Sequence, residues 1–132
     1  MKLIYICGPY RSSDPWQREQ NIRDAETLAY TVAKLGGFPV CPHANTRPYF
    51  EGVQDAKFWL EGTTQLLARC DALITFGFWM ESLGASTEVE YARKHNLPRF
   101  YDSRIQHLEE WLRLSESREK DGVENALEGD QH

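Results

Sequence analysis

Ala72-Leu73-Ile74-Thr75-Phe76, followed by Trp79-Met80-Glu81-Ser82-Leu83-Gly84-Ala85-Ser86-Thr87-Glu88-Val89-Glu90-Tyr91-Ala92, decides how this chain reads. The first run is short, apolar and rich in β-formers, as a buried strand is. In the second, Ala85, Val89 and Ala92 recur at helical spacing and share one face. A strand therefore ends, a loop carrying Ser82 and Gly84 turns, and a helix starts with Glu88 in its first turns. In open α/β sheets, ligands sit beyond the carboxyl ends of strands, at such junctions. Glycine admits a ligand close to the backbone, and the free N–H groups of a helix start favour anions. Glu88 placed there can face a ligand. An acidic residue in the first helical turns also complements the helix dipole, and on this stretch alone that ordinary role is the stronger reading.

Working outward, 132 residues predict one domain with a real core, and the apolar fraction of 41% with four tryptophans predicts a globular protein. No run of about 18 apolar residues predicts a membrane helix. Met1-Lys2-Leu3-Ile4-Tyr5-Ile6 meets Gly8-Pro9 too soon for a signal peptide. Cys7, Cys41 and Cys70 have no metal-ligand spacing, and each lies in or beside an apolar segment. They read as reduced, buried thiols of a cytoplasmic protein. The net charge is −5, of which residues 115–132 carry −4 from six acidic and two basic side chains. The body is near neutral, so no nucleic-acid polymer is expected as a partner. The domain is expected to span residues 1–114, with 115–132 an acidic, disordered tail.

Lys2 to Cys7 reads as the first strand, broken by Gly8-Pro9-Tyr10-Arg11-Ser12-Ser13. Asp14-Pro15-Trp16-Gln17 predicts a helix start, with Asp14 as N-cap, Pro15 as first helical residue and Gln17 closing a capping box. Ile22, Ala25, Ala29, Val32 and Ala33 mark its apolar face, and Gly36-Gly37 ends it. Phe38-Pro39-Val40-Cys41 is a second strand. Residues 42–54 read as a long, functional loop carrying His43, Asn45, Arg47, Tyr49, Phe50 and Glu51. A helix follows from Asp55, with Phe58, Trp59, Leu66 and Leu67 as its buried face. Arg99-Phe100-Tyr101 is a fourth, edge-like strand, and Ile105, Leu108, Trp111, Leu112 and Leu114 predict a last amphipathic helix. Strands alternating with helices predict an α/β fold with a parallel sheet of four to five strands and right-handed crossovers.

Two loops should meet above this sheet: Gly8-Pro9-Tyr10-Arg11-Ser12-Ser13 after the first strand and Ser82-Leu83-Gly84-Ala85-Ser86 after the third. Glycine, hydroxyls, a helix start and the Arg11 guanidinium together suit one phosphate group. Two ordinary βα turns account for the composition equally well. Neither loop is a Walker loop or a GxGxxG fingerprint.

Tyr5-Ile6-Cys7-Gly8-Pro9-Tyr10-Arg11, the pair Pro42-His43, and Ser82-Leu83-Gly84-Ala85-Ser86-Thr87-Glu88 occur in this order over residues 3–101. In that set the chain resembles the nucleoside 2-deoxyribosyltransferase superfamily. Within it, the chain looks like the deoxynucleoside 5'-monophosphate N-glycosidases and the small bacterial and phage proteins of the DUF4406 group. The resemblance implies a flavodoxin- or Rossmann-like three-layer sandwich and cleavage of an N-glycosidic bond, by hydrolysis or by deoxyribosyl transfer. It places the nucleophile at Glu88, whose carboxylate would attack C1' to give a covalent glycosyl-enzyme with a retaining outcome. Tyr5 would orient that carboxylate; as a residue it is equally a plain strand aromatic. Gly8, Tyr10, Arg11, Ser82 and Gly84 match the positions that bind phosphate in the monophosphate-specific branch. His43 matches a histidine near the pocket, or is a satisfied loop histidine.

One departure stands out. The family's general acid, eight residues ahead of the aspartate that opens strand three, falls on Thr63, counted back from Asp71. Glu61, Asp55, Glu51 or His43 would have to substitute. The alternative is a catalytically silent nucleotide-binding sensor. The resemblance implies no cofactor and no metal, a small-molecule nucleotide or nucleoside as partner, no membrane, and a homodimer or higher homo-oligomer whose neighbour closes the site. Asp102 and Ser103 are candidates for that contribution. Trp16, Trp79 and Phe78 fit an oligomer interface or core packing.

Overall fold

A computed structural model describes residues 1–47 and 52–129, and for residues 120, 121 and 123–129 the backbone alone. The elements are β1 (Leu3–Cys7), α1 (Pro15–Lys34), β2 (Phe38–Val40), α2 (Pro42–Asn45), α3 (Ala56–Ala68), β3 (Ala72–Thr75), α4 (Leu83–Lys94), β4 (Arg99–Tyr101) and α5 (Ile105–Gly129). Short 3-10 turns occupy Trp79–Glu81 and Asp102–Arg104. The four strands form one parallel sheet in the order β2-β1-β3-β4, so the expected α/β three-layer architecture is present with four strands.

The layers follow from the alternation of β1. Ile4 and Ile6 face one side and pack with Ala72 and Ile74 of β3, with Ala25, Leu28 and Val32 of α1, and with Leu108 and Leu112 of α5. Tyr5 and Cys7 face the other side with Leu73 of β3, Leu67 of α3, and Ala85 and Ala92 of α4. Both faces are covered by helices, which is why β1 and β3 are apolar at every position up to Thr75. The strand starts are fixed by Asp71, whose Oδ2 accepts from Leu3 N at 2.7 Å while its own N–H donates to Leu3 O at 2.8 Å.

Several local expectations are met and others corrected. Asp14 caps α1 by accepting from Trp16 N at 3.0 Å, with Pro15 as first helical residue. Gln17 does not close a capping box: its amide donates to Asn21 Oδ1, and Ser12 Oγ accepts from Asp14 N instead. Asn21 and Leu28 are buried on α1 while Ala33 is exposed, because the apolar stripe runs 21, 25, 28, 32. On α3 only Leu67 is buried; Phe58 is 48% exposed. That helix covers just one end of the sheet face, and its outer turns border a cleft. Residues 42–45 are helical rather than loop, started by Pro42 in the first turn. The segment after Leu114, expected to be disordered, continues as the helix of α5 to Gly129. Its glutamates, lysine and arginine are good helix formers, and Glu119 pairs with the Met1 amino group at 3.2 Å and with Lys2 at 3.7 Å.

Gly8, at the end of β1, lies against the ring of Phe76: a Cβ there would come within 2.2 Å of Phe76 Cε1. This glycine is required by packing whether or not a ligand approaches it. Gly8→Ala is therefore expected to destabilise the fold by about 1–3 kcal/mol through overpacking, read as a lower melting temperature; an unchanged melting temperature would contradict the packing role.

Candidate functional site

The chain reverses its winding between β1 and β3, from β2 on one side to β4 on the other, which makes the carboxyl ends of these two strands the switch point of the sheet. The loop after β1 and the segment from β3 to α4 leave the sheet there. They enclose, with α2 and α3, a pocket of about 700 Å³. All eight residues singled out from the sequence line it: Tyr5, Gly8, Tyr10, Arg11, His43, Ser82, Gly84 and Glu88.

Glu88 lies one turn into α4, three residues past Ala85, which packs on β1. Its carboxyl is pushed up to about 7 by burial, while the Tyr5 hydroxyl and the Cys7 thiol act as donors that oppose the rise. Tyr5 and Cys7 reach it together because they are two apart on one strand face. Both are themselves raised well above their ordinary values, by burial first and then by the Glu88 charge, so both remain protonated donors. Ala85 O lies 3.5 Å from Cys7 Sγ as a second acceptor, so the single S–H proton is shared between it and the Glu88 carboxyl. Tyr5 is 1% exposed, and among the described residues its hydroxyl makes no hydrogen bond of ordinary length and angle. The Tyr5 hydroxyl therefore meets the Glu88 carboxyl as a loose, poorly aligned donor rather than as a full hydrogen bond.

The loop after β1 is braced by residues of the pocket wall itself. His43 Nε2 lies 2.9 Å from Pro9 O, so that nitrogen carries the proton and donates. Burial lowers the His43 pKa, which keeps the ring neutral. Its Nδ1 is buried without a hydrogen-bond partner among the described residues. The ring packs edge-on to Tyr10, at 5.4 Å between centroids, and against Phe76 at the same distance. The Tyr10 hydroxyl donates to Thr46 O at 2.6 Å, so the phenol ties α2 to this loop rather than pointing at a ligand. Tyr10 O in turn accepts from Asn21 Nδ2 at 3.3 Å.

At the other side of the mouth, Ser82 is the N-cap of α4, and its Oγ accepts from Ala85 N at 3.2 Å. The α4 first turn therefore offers backbone N–H groups at Leu83 and Gly84. A Cβ on Gly84 would meet no protein atom within 4 Å, so the open space beside it belongs to the pocket. Arg11 is exposed, and among the described residues it has no hydrogen bond or ion pair.

The substitutes considered for the missing acid are mostly elsewhere. Thr63 lines the pocket beside the Tyr5 hydroxyl, and its Oγ1 donates to Leu60 O at 3.1 Å. Glu61 faces solvent 3.8 Å from Lys57, and Asp55 caps α3 by accepting from Phe58 N at 2.9 Å; neither lines the pocket. Glu51 lies outside the described residues, as do Tyr49 and Phe50. Asp102 and Ser103 sit in the exposed turn after β4, away from the pocket. Of the aromatics, Trp79 packs on the core beneath α4, whereas Trp16 and Phe78 are 68% and 75% exposed, Phe78 at the pocket rim. Sequence reasoning missed Glu81, Asn21 and Trp59, all on the lining. Asn21 could have been found as the one amide in the apolar stripe of α1, and Glu81 as the acid immediately ahead of the Ser82 cap. Trp59 reads as core by spacing, and only the shortness of the α3 contact turns it to the pocket. No helix among the described residues is long and apolar enough to cross a membrane, and no three His, Cys, Asp or Glu side chains among them gather as metal ligands.

Because the Glu88 carboxyl titrates near 7 in the fold and near the ordinary carboxylate value when unfolded, the folded state holds the extra proton between about pH 4.5 and 7. Stability should fall as pH rises through that window. Glu88→Gln removes the ionisation. The variant is expected to match the native protein near pH 4.5 and to exceed it at pH 8 by on the order of 2 kcal/mol, measured by denaturant melts at both values. Equal stability difference at both values would contradict a buried, perturbed carboxyl.

A comparison with curated proteins gives no match. Residues 2–102, which hold the whole sheet and every residue lining the pocket, match the family described as a domain of unknown function, DUF7768. The chain belongs to that family.

Proposed function

We propose that the protein cleaves the N-glycosidic bond of a (deoxy)nucleoside 5'-monophosphate, by hydrolysis or by transfer of the sugar. The observation that carries this reading is the Glu88 carboxyl, held near pKa 7 on the wall of a switch-point pocket beside the Tyr5 hydroxyl and backed by the Cys7 thiol. The Glu88 carboxylate attacks C1', the C1'–N bond breaks, and the base leaves with the bonding electrons and takes up a proton. Water, or a second base, then attacks C1' of the glycosyl ester, and the carboxylate is released. Tyr5 donates toward the carboxylate, which holds it in line; contacts of this kind are often loose until substrate binds. The phosphate is received by the Arg11 guanidinium and the N–H groups of Leu83 and Gly84 at the Ser82-capped helix start. Trp59 and Leu60 supply apolar surface for the base.

With Thr63 in the acid position, Glu81 is the second carboxyl on the described pocket wall and the one available to protonate the departing base. Thr63 also favours the second reading, a nucleotide-binding sensor without turnover. The chemistry asks for no cofactor. On this reading the protein is cytoplasmic, where its substrates and reduced cysteines occur, and a homo-oligomer whose neighbour covers Phe78 and the pocket rim.

Incubation with ribo- and deoxyribonucleotides and the matching nucleosides, followed by chromatography, is expected to release free base from monophosphates. Glu88→Gln should lower the rate on the order of a thousandfold or more. The nucleophile must be ionised, so kcat/KM should rise with pH through about 7. Tyr5→Phe removes a donor that lowers the carboxyl pKa, and should move that rise to higher pH. Nucleotide-dependent thermal stabilisation without base release from any substrate would leave the sensor reading.

A further inference from the structure

Of the two donors to Glu88 among the described residues, Tyr5 lines the pocket and Cys7 does not. Cys7 ends β1, is 1% exposed, and faces the side of the sheet on which α4 packs. Its thiol therefore acts on a ligand only through another group. Sγ lies 3.5 Å from Ala85 O. Glu88 follows three residues later on the same face of α4, and a helical side chain leans back toward the preceding turn. That places the Glu88 carboxyl over the turn that Cys7 touches, and the thiol donates to it as well. One proton has two acceptors. Ala85 O loses little without the thiol, because within a helix it accepts from the N–H four residues on, that of Val89. Glu88 has less to draw on: Tyr5 is a loose donor, and among the described residues no cation pairs with the carboxyl. Of the other elements against α4, α3 presents the neutral Thr63 and β3 has no titratable residue. Arg99 and Tyr101 of β4 are exposed, Arg99 acting on Glu90, and the turn ahead of α4 brings Glu81 to the same pocket wall.

We propose that Cys7 is a positioning residue whose S–H proton turns from Ala85 O to the Glu88 carboxylate when that group ionises, steadying the nucleophile while leaving it reactive. The inference rests on the proposed glycosidic reaction and adds to it the reason for a thiol at this position. A hydrogen bond to an ionised acceptor is roughly twice as strong as one to a neutral carbonyl, so the charge draws the proton across. A thiol is a weak donor. It orients the carboxylate without stabilising the anion as a hydroxyl would, and Glu88 keeps the basicity that attack on C1' uses. The thiol itself stays protonated, because burial and the Glu88 charge both raise it. No bond to sulfur forms or breaks; only the direction of the S–H changes.

The test begins with the infrared S–H stretch of the ligand-free native protein. One component is expected to move to lower frequency as pH rises through about 7, and to stay fixed in Glu88→Gln. Cys41 and Cys70 are also held protonated, so the band persists across that range. The Glu88 titration is then followed by NMR of its carboxyl carbon, and by the pH dependence of kcat/KM, in two variants. Cys7→Ala removes the donor and should move the midpoint up by about half a pH unit or more. Cys7→Ser supplies a stronger donor and should move it down. Both variants lose the sulfur, so a packing role alone would lower both melting temperatures and leave the two midpoints together. The native band decides alone where a variant does not fold. An S–H band that ignores pH, or midpoints that do not separate in the two variants, would overturn the proposal, and base release that needs Glu88 would still stand. An S–H band that follows Glu88, in a protein that releases no base, would keep the turning thiol and remove the glycosidic reading instead.

Discussion

The partial burial of one carboxyl group, Glu88, on the pocket wall against the inner strand of the sheet is the constraint on which the rest of the site depends. A carboxylate taken from water into a folded core is destabilising unless it is paired or hydrogen-bonded. Among the described residues no cation pairs with it. Its neighbours are two neutral donors, Tyr5 and Cys7, supplied by consecutive positions on one face of β1. The pairing of β1 with β3, Tyr5 opposite Leu73 and Cys7 opposite Thr75, fixes how far those donors stand from α4. Ala85 and Ala92 on α4 are small and buried, which lets the helix approach the strand closely enough for Glu88 to meet them. Stability is given up at this point, and the two apolar layers on either side of the sheet offset it.

The remainder of the site is a frame around that group. His43 is neutral and braces Pro9, and Tyr10 is tied to Thr46, so the loop after β1 is held by residues whose polar atoms face the protein. Ser82 likewise faces inward as a helix cap, leaving backbone N–H groups toward the pocket. The groups turned outward are the Arg11 guanidinium and the acid Glu81. A rigid scaffold that positions a few unsatisfied groups is the usual arrangement where a site must be ready before its ligand arrives.

Much of this was legible in the sequence because it rests on local rules. The strand character of β1, the Asp14 cap, the helix start at Asp55 and the strand-loop-helix junction at Ser82 each follow from neighbouring residues. Their ordered set also brought together the eight pocket residues. What was not legible depended on distance. Gly8 reads as a ligand contact, and only the position of Phe76 reveals that packing alone excludes a side chain there. Tyr10 reads as a phosphate ligand, yet its hydroxyl reaches Thr46, thirty-six residues on. The apolar spacing of α3 predicts a buried face, but that helix overhangs the cleft, so Trp59 and Leu60 line it. The acidic stretch after Leu114 reads as disordered because it lacks an apolar stripe, whereas helix propensity and the ion pairs of Glu119 with the N-terminus carry the helix on.

The central claim is that Glu88 forms a bond to the sugar. Rapid quenching of the protein with a deoxynucleoside 5'-monophosphate, followed by peptide mass spectrometry, tests it most directly. The account predicts a transient mass gain of one deoxyribose phosphate unit on the peptide that contains Glu88, appearing before free sugar phosphate accumulates. Base release at full rate with that peptide unmodified at every time point would contradict it.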